Sequence, residues 1–164
     1  MIFVTVGTHE RGFKRLIKAV DDLVDLGKIK EKVIVQTGYT DYTPKNCEWF
    51  KFTDYDSIVE LCKKSSIVIS HGGIGSIITP LELGKIVLAV PRLKKFNEHT
   101  NDHQLQIVKE LEKQKRIIPV YDINDLENAL NEVKFFKTKK LLKQKSKILH
   151  IVSNYLSKIE SDLN

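Results

Sequence analysis

An apolar stretch, Ser66-Ile67-Val68-Ile69, runs straight into Ser70-His71-Gly72-Gly73-Ile74-Gly75-Ser76, and a segment with Ile77, Ile78, Leu81 and Leu83 at helical spacing follows. A buried strand that empties through a glycine-rich turn into a helix constrains the fold to a sheet covered by helices. Such a turn offers bare backbone N–H groups and a helix N-terminus to an anion, and the glycines allow close approach. A tight strand-to-helix turn with no ligand has the same spacing. A second apolar run, Ile86–Val90, lies between Lys85 and Pro91. It brings another polar cluster, Glu98-His99-Thr100-Asn101-Asp102-His103-Gln104, to the same sheet edge.

The rest of the chain repeats this alternation. Residues 2–6 read as a strand, and a helix follows from about Arg11 to Leu26 with Phe13, Leu16, Ile17, Val20, Leu23 and Val24 on one face. Lys32 to Thr37 reads as a strand ending at Gly38, residues 39–46 as a loop around Pro44, and Glu48 to Phe52 as a short strand. Asp54 is placed to cap a helix over Tyr55–Lys64. Beyond Val90 come a helix from about Asn101 to Lys113, a short strand at Ile117–Val120, and a short helix opened by Asp122 or Asn124 and running through Leu130. The pattern predicts an α/β fold, a doubly wound parallel sheet with helices on both faces. Ligands of such sheets sit beyond the carboxyl ends of the strands, so the loops after residues 6, 70 and 90 are expected to converge there.

The 164 residues fit one domain with a real core, and 41% hydrophobic with 29% charged residues is ordinary for a globular chain. Cys47 and Cys62 lack metal-ligand or CxxC spacing, which suits a reducing compartment. The apolar start Met1–Val6 has no basic leader, and no run approaches a membrane span, so a cytoplasmic location is expected. The net charge of +6 is uneven: seven lysines and no carboxylate lie between Val133 and His150, and without them the rest is close to neutral. That balance argues against a nucleic-acid-binding core. It suits attraction to an anionic membrane or an acidic partner, or a plain solvated helix face. From Lys137 to Leu163 apolar residues recur at threes and fours, predicting a long amphipathic helix that packs on the domain or on another polypeptide.

The first loop, Gly7-Thr8-His9-Glu10-Arg11-Gly12, lacks the GxGxxG of a dinucleotide fold and the Gly-Lys-Ser/Thr of a P-loop. Thr8 is able to cap the helix or bond a phosphate, and His9 and Glu10 are the candidate bases at the mouth of the cleft. His71 either donates to a diphosphate or bonds neighbouring loop backbone. No GxSxG elbow occurs. His99 and His103 stand at i and i+4, a spacing able to clamp a metal on a helix, but no HExxH or carboxylate set accompanies them, and no metal is expected.

Together, Gly-Thr-His-Glu at the start, Ser-His-Gly-Gly-Ile-Gly-Ser with Leu81-Glu82-Leu83-Gly84-Lys85, and Pro91 followed by Asp102-His103-Gln104 resemble the donor-binding half of GT-B glycosyltransferases. The likeness is greatest to the family 28 C-terminal domain, over residues 1 to about 130. Within that family the chain looks like the stand-alone catalytic subunit of split two-component transferases, which act on dolichol-linked precursors in eukaryotes and in capsule or exopolysaccharide assembly in bacteria.

The resemblance implies a nucleotide-sugar-binding Rossmann-like domain at 1–132, which leaves 133–164 as the basic amphipathic C-terminal helix packing on the domain or a partner. It further implies a UDP-sugar donor, no metal or other cofactor, and a lipid-linked acceptor. A membrane-anchored partner subunit would bring that acceptor and recruit the chain to the inner membrane face. Transfer of a hexose or N-acetylhexosamine is the expected activity, with a non-catalytic nucleotide-sugar-binding module as the alternative. Gly72, Gly73, Gly75 and Ser76 match the family's diphosphate-side loop, and His103 and Gln104 match its pair against the donor sugar. Gly7, Thr8 and His71 complete the implied donor site. Where relatives often carry a carboxylate for the ribose, this chain has Thr79, with Glu82 three residues on, and the usual proline after Gly84-Lys85 is Ile86.

Overall fold

Successive residues of the central strands are apolar on both faces, and the computed structural model of the chain, which describes residues 1–136, shows where each face goes. Strands β1 (Ile2–Thr5), β2 (Val33–Gln36), β3 (Glu48–Phe50), β4 (Ile67–His71), β5 (Ile86–Val90) and β6 (Ile118–Pro119) form one sheet in the order β3-β2-β1-β4-β5-β6. All five pairings are parallel. Helices α1 (Lys14–Asp25), α2 (Tyr55–Lys64), α3 (Ile74–Glu82), α4 (His103–Lys113) and α5 (Leu126–Glu132) cover it. Ile2, Val4, Ile67, Ile69, Leu88 and Val90 pack against Leu16, Ile17 and Val20 of α1 and Leu126 and Ala129 of α5. Their alternates face the other way: Phe3 and Val68 meet Cys62 of α2, and Val87 and Ala89 meet Ile77, Leu81, Val108 and Leu111. Fully burying one such side chain contributes about 1.5–3 kcal/mol, so a sheet buried on both faces anchors the domain. The strand order reverses between β1 and β4, and that switch point opens a crevice at the carboxyl ends.

The predicted elements are present, with boundaries moved for local reasons. Helix α1 begins at Lys14 rather than near Arg11, because Gly12 takes a φ of 30° and Phe13, with a φ of -147° and a ψ of 59°, is non-helical and donates its N–H to Thr40 Oγ1 at 2.8 Å. Helix α4 begins at His103 rather than Asn101; the Asp102 carboxylate does not cap it but accepts the Lys94 N–H at 2.8 Å. Strands β1 and β3 end at Thr5 and Phe50, one and two residues earlier than expected, and β6 is shortened to two residues. Asp54 caps α2 by accepting the Ser57 N–H at 2.8 Å. Asp122 accepts the Asn124 N–H at 3.0 Å, opening a 3-10 turn ahead of α5. The predicted helix over 137–163 lies outside the described residues, as does nearly all of the expected 133–164 segment.

Two buried polar groups fasten the loops. Asp21 of α1 accepts the N–H groups of Lys45 and Asn46 and the Tyr42 hydroxyl at 2.8 Å. Burial works to raise its pKa, yet these donors hold the carboxyl below its ordinary value, while the Tyr42 hydroxyl is pushed up to about 12. Arg92, fully buried just past β5, donates to the Val6 carbonyl at 2.7 Å, Arg11 at 3.2 Å, Glu98 at 3.3 Å, and Gly12. Its guanidinium also lies 4.8 Å from the Phe13 ring centre. Burial pulls its pKa down to about 10, with Glu98 opposing, so it stays cationic at neutral pH.

Asp21→Asn is expected to lower unfolding stability at pH 7 by about 1–3 kcal/mol in urea melts. Because the folded carboxyl has the depressed pKa, the wild-type advantage is present above the unfolded value near 4 and fades as pH falls through the folded one. A gap that persists undiminished in acid would contradict this account. Arg92→Met leaves the Val6, Arg11, Gly12 and Glu98 carbonyls without their donor, and about 3 kcal/mol or more of stability is expected to go. Denaturation midpoints compared at matched m-values measure it; a loss under 1 kcal/mol, about what an ordinary surface change costs, would refute the assignment.

Candidate functional site

At the switch point, β1 and β4 end side by side and α3 starts from the turn Gly72-Gly73. Gly73 is extended at the head of α3 and no side chain caps it, so the first-turn amides of Ile74, Gly75 and Ser76 have no intrahelical acceptor. They face a cleft of about 530 Å³ whose walls include Gly7, Thr8, His71, Gly73, Gly75, Ser76 and Thr79. Among the described residues, no Asp, Glu, Lys or Arg lines it. A site of this kind attracts negative charge through helix dipole and amides alone.

His71, the last residue of β4, lies beneath that cleft. A Cβ on Gly7, whose φ is 68°, would sit 2.6 Å from His71 Cε1, and one on Gly73 would also collide with the ring. These glycines are therefore required by close packing over the imidazole. Nδ1 lies 3.4 Å from the Thr5 carbonyl. Burial, with the Arg92 cation adding to it, pulls the pKa down to about 4. A neutral ring with Nδ1–H on a carbonyl has an acceptor at Nε2, so the geometry favours bonding to backbone over donation to a phosphate, with the partner at the end of β1 rather than in a loop.

The other candidates fall into separate places. Thr79 lines the cleft one turn along α3, with its hydroxyl 3.1 Å from the Gly75 carbonyl and 3.3 Å from the Tyr55 hydroxyl. Glu82 stands eight residues from the start of α3, about 12 Å along its axis, exposed and absent from the cleft lining. Gln104 is buried beneath Gly72, where a Cβ would come within 2.7 Å of the Gln104 Cβ, and its Oε1 accepts the Arg92 N–H at 3.1 Å. His103, half-buried at the first position of α4, donates its N–H to Asn101 Oδ1 at 3.1 Å, and its Nδ1 lies 3.3 Å from Gln106 Oε1.

His9 lies against His99 with ring centres 4.6 Å apart and planes tilted by 32°, and its Nδ1 accepts the Arg11 N–H at 3.2 Å. Burial, with Arg92 next, lowers the His9 pKa, and burial, with His9 next, lowers that of His99. Glu10 is exposed on the outer side of this loop, in a separate groove with Arg11 and Asn97. His99 precedes α4, so the i, i+4 pair with His103 never shares a helical face. Among the described residues, no group of three His, Cys, Asp or Glu side chains is arranged to hold a metal.

Sequence reasoning missed Arg92, Arg15 and Tyr55. Arg15 donates to both Glu98 oxygens at 2.9 Å, and Glu98 also accepts the Leu93 N–H at 3.1 Å, so α1 grips the loop after β5. The available signal was a lone arginine directly behind an apolar strand and Pro91. Tyr55 lines the cleft from the start of α2, and only its place behind the Asp54 cap hinted at this.

The family model of the glycosyltransferase family 28 C-terminal domain matches residues 1–159. The human UDP-N-acetylglucosamine transferase subunit ALG13 is 36% identical over 122 residues, covering 69% of this chain and 10% of that protein. The mouse protein of the same name is 33% identical over 121 residues, with 68% and 10% covered. The chain thus spans about a tenth of the length of the curated relatives it matches. Among solved structures, the NMR solution structure of ALG13 has a TM-score of 0.56 at 19% identity, covering 85% of this chain and 87% of that one. The glycosyltransferase of kitacinnamycin gives 0.59 at 15% identity, with 80% and 34% covered. At those identities the structures support the fold, a Rossmann-like half of a GT-B enzyme. With the family model matched over nearly its whole length, the chain belongs to the glycosyltransferase family 28 C-terminal domain.

Proposed function

We propose that this chain is the donor-binding, catalytic subunit of a heteromeric glycosyltransferase that moves a hexose or N-acetylhexosamine from a UDP-sugar to a lipid-linked acceptor. The observation that carries the reading is the uncapped N-terminus of α3 behind Gly72-Gly73, opening on a cleft with no charged wall. As the glycosidic bond to the β-phosphate breaks, negative charge grows on the departing diphosphate. Amides held in place before the reaction stabilise that charge without reorganising. The Thr79 and Tyr55 hydroxyls, 3.3 Å apart and about one helical turn along α3 from its start, are the groups this reading assigns to the nucleoside hydroxyls. The reading invokes no metal; among the described residues, no carboxylate lines the cleft. The name of the human relative, a UDP-N-acetylglucosamine transferase subunit, supports both the donor class and work as part of a complex.

A half-enzyme of this shape needs a second surface for the acceptor. We assign that to a membrane-anchored partner, which would place the pair at the inner membrane face. The partner is also the expected source of the base: His9 already commits its Nδ1 lone pair to the Arg11 N–H.

The test is titration calorimetry of the chain with UDP and UDP-N-acetylglucosamine, with GDP and NAD as controls, on wild type and Gly75→Asp. A Cβ at position 75 meets no heavy atom within 4 Å, so the variant is expected to fold and melt like the wild type. Its carboxylate stands where the diphosphate sits, and repulsion at about 5 Å lowers UDP affinity by about tenfold or more. Equal UDP binding by the two proteins, or no preference for UDP over NAD, would remove the basis for the reading.

A further inference from the structure

Beside the cleft, on the α1 side of the sheet edge, the 3-10 turn Lys94-Lys95-Phe96 projects from the loop after β5. Phe96 is half exposed, at 50%, although its loop is otherwise tightly held. Buried Leu93 and Glu98 bracket the turn, the Glu98 carboxylate accepts the Leu93 N–H, and Asp102 accepts the Lys94 N–H. Arg11 donates to Asn97 Oδ1 at 2.9 Å, which fastens the turn to the loop after β1. The ring is therefore displayed on a fixed support. Cations surround it: the Arg15 guanidinium and the Lys95 ammonium lie 4.9 and 4.8 Å from its centre.

Lys14, Lys94 and Lys95 are exposed, and among the described residues none of the three has a carboxylate at ion-pair distance. Glu10 and Asp41 line the same groove as Lys14, Arg15 and Phe96, whereas Lys94 and Lys95 lie outside that groove. Tyr39, 60% exposed, lines the same groove as Phe96, and so small an aromatic surface among cations falls well short of a protein interface, which buries about 800 Å² on each side. It matches the headgroup region of an anionic bilayer, where lysines gain from the surface potential and an aromatic ring inserts at the boundary.

We propose that the Lys94-Lys95-Phe96 turn, supported by Lys14 and Arg11, is a docking point for an anionic lipid surface. It sits at the same end of the sheet as the cleft, so contact through it turns the donor site toward the bilayer. The proposal extends the function above, but it rests on different residues and a different readout.

The experiment is co-sedimentation of the full chain with phosphatidylcholine vesicles that do or do not contain phosphatidylserine, with UDP binding measured in parallel. The wild type is expected to bind the phosphatidylserine vesicles, and added salt to weaken that binding. Joint replacement Lys94→Glu and Lys95→Glu is expected to lower partitioning by about tenfold or more, and Phe96→Ala by several-fold. A charge-matched pair on the exposed side of α4, Lys109→Glu and Lys113→Glu, is expected to cost much less. UDP binding retained in all variants shows that they are folded and keeps this result separate from the donor-site reading. Vesicle binding that is absent in the wild type, unchanged in the Lys94/Lys95 variant, or equally reduced by the α4 pair overturns the proposal. The first of these results would point instead to a protein occupant for the turn.

Discussion

A fully buried guanidinium holds the working end of this domain together. Burying a cation costs several kcal/mol unless its protons find acceptors, and Arg92 finds them in backbone carbonyls of two loops. Val6, Arg11 and Gly12 lie on the loop leaving β1, and Glu98 on the loop leaving β5. The charge therefore stitches together two segments that the sheet alone leaves apart. Its Nε has no partner, so the site is held by the four carbonyls and by the Phe13 ring rather than by a carboxylate in direct contact. Glu98 is turned instead to Arg15, which extends the same fastening to α1.

That fastening has a consequence for the chemistry beside it. The cationic Arg92 and the burial of His71 keep the imidazole neutral, and a neutral ring is what Gly7 and Gly73 close over. The β1 loop is thereby held against the start of α3 without any charged side chain entering the cleft. An anion placed there meets amide dipoles already oriented, which are most effective where water is sparse. Loose, solvated lysines would supply attraction too, but at a cost in ordering when the ligand binds.

Much of the fold was legible because its signals are local. Alternating apolar faces identified the central strands, Asp54 announced α2, and the glycines at 72, 73 and 75 announced the start of α3. The boundaries that moved did so where a distant group intervened. Phe13 is kept out of α1 by Thr40, and Asp102 is drawn from its capping position by the Lys94 amide. Beyond its place behind an apolar strand and Pro91, nothing marked Arg92, since its partners are carbonyls, which no side-chain pattern encodes, spread from residue 6 to residue 98. The glycines themselves were read as giving a ligand room. At Gly7 and Gly73 the demand comes first from His71, and only Gly75, with open space around it, has no structural neighbour to explain it.

The contrast among those glycines separates scaffold from site. Where a Cβ would strike protein, glycine is needed whether or not a ligand ever arrives. Where it would strike nothing, at the second residue of an uncapped helix, packing makes no demand for glycine, and a larger side chain would stand on the wall of the cleft. The same distinction applies at the outer rim. Leu93 and Glu98 are buried because the loop requires them, whereas Phe96 between them is held in the open by bonds that do not involve its ring. Exposing a ring on so rigid a support leaves apolar surface in water. A surface outside the chain that covers the ring recovers that free energy, and the lysines beside it set the sign of the charge such a surface carries.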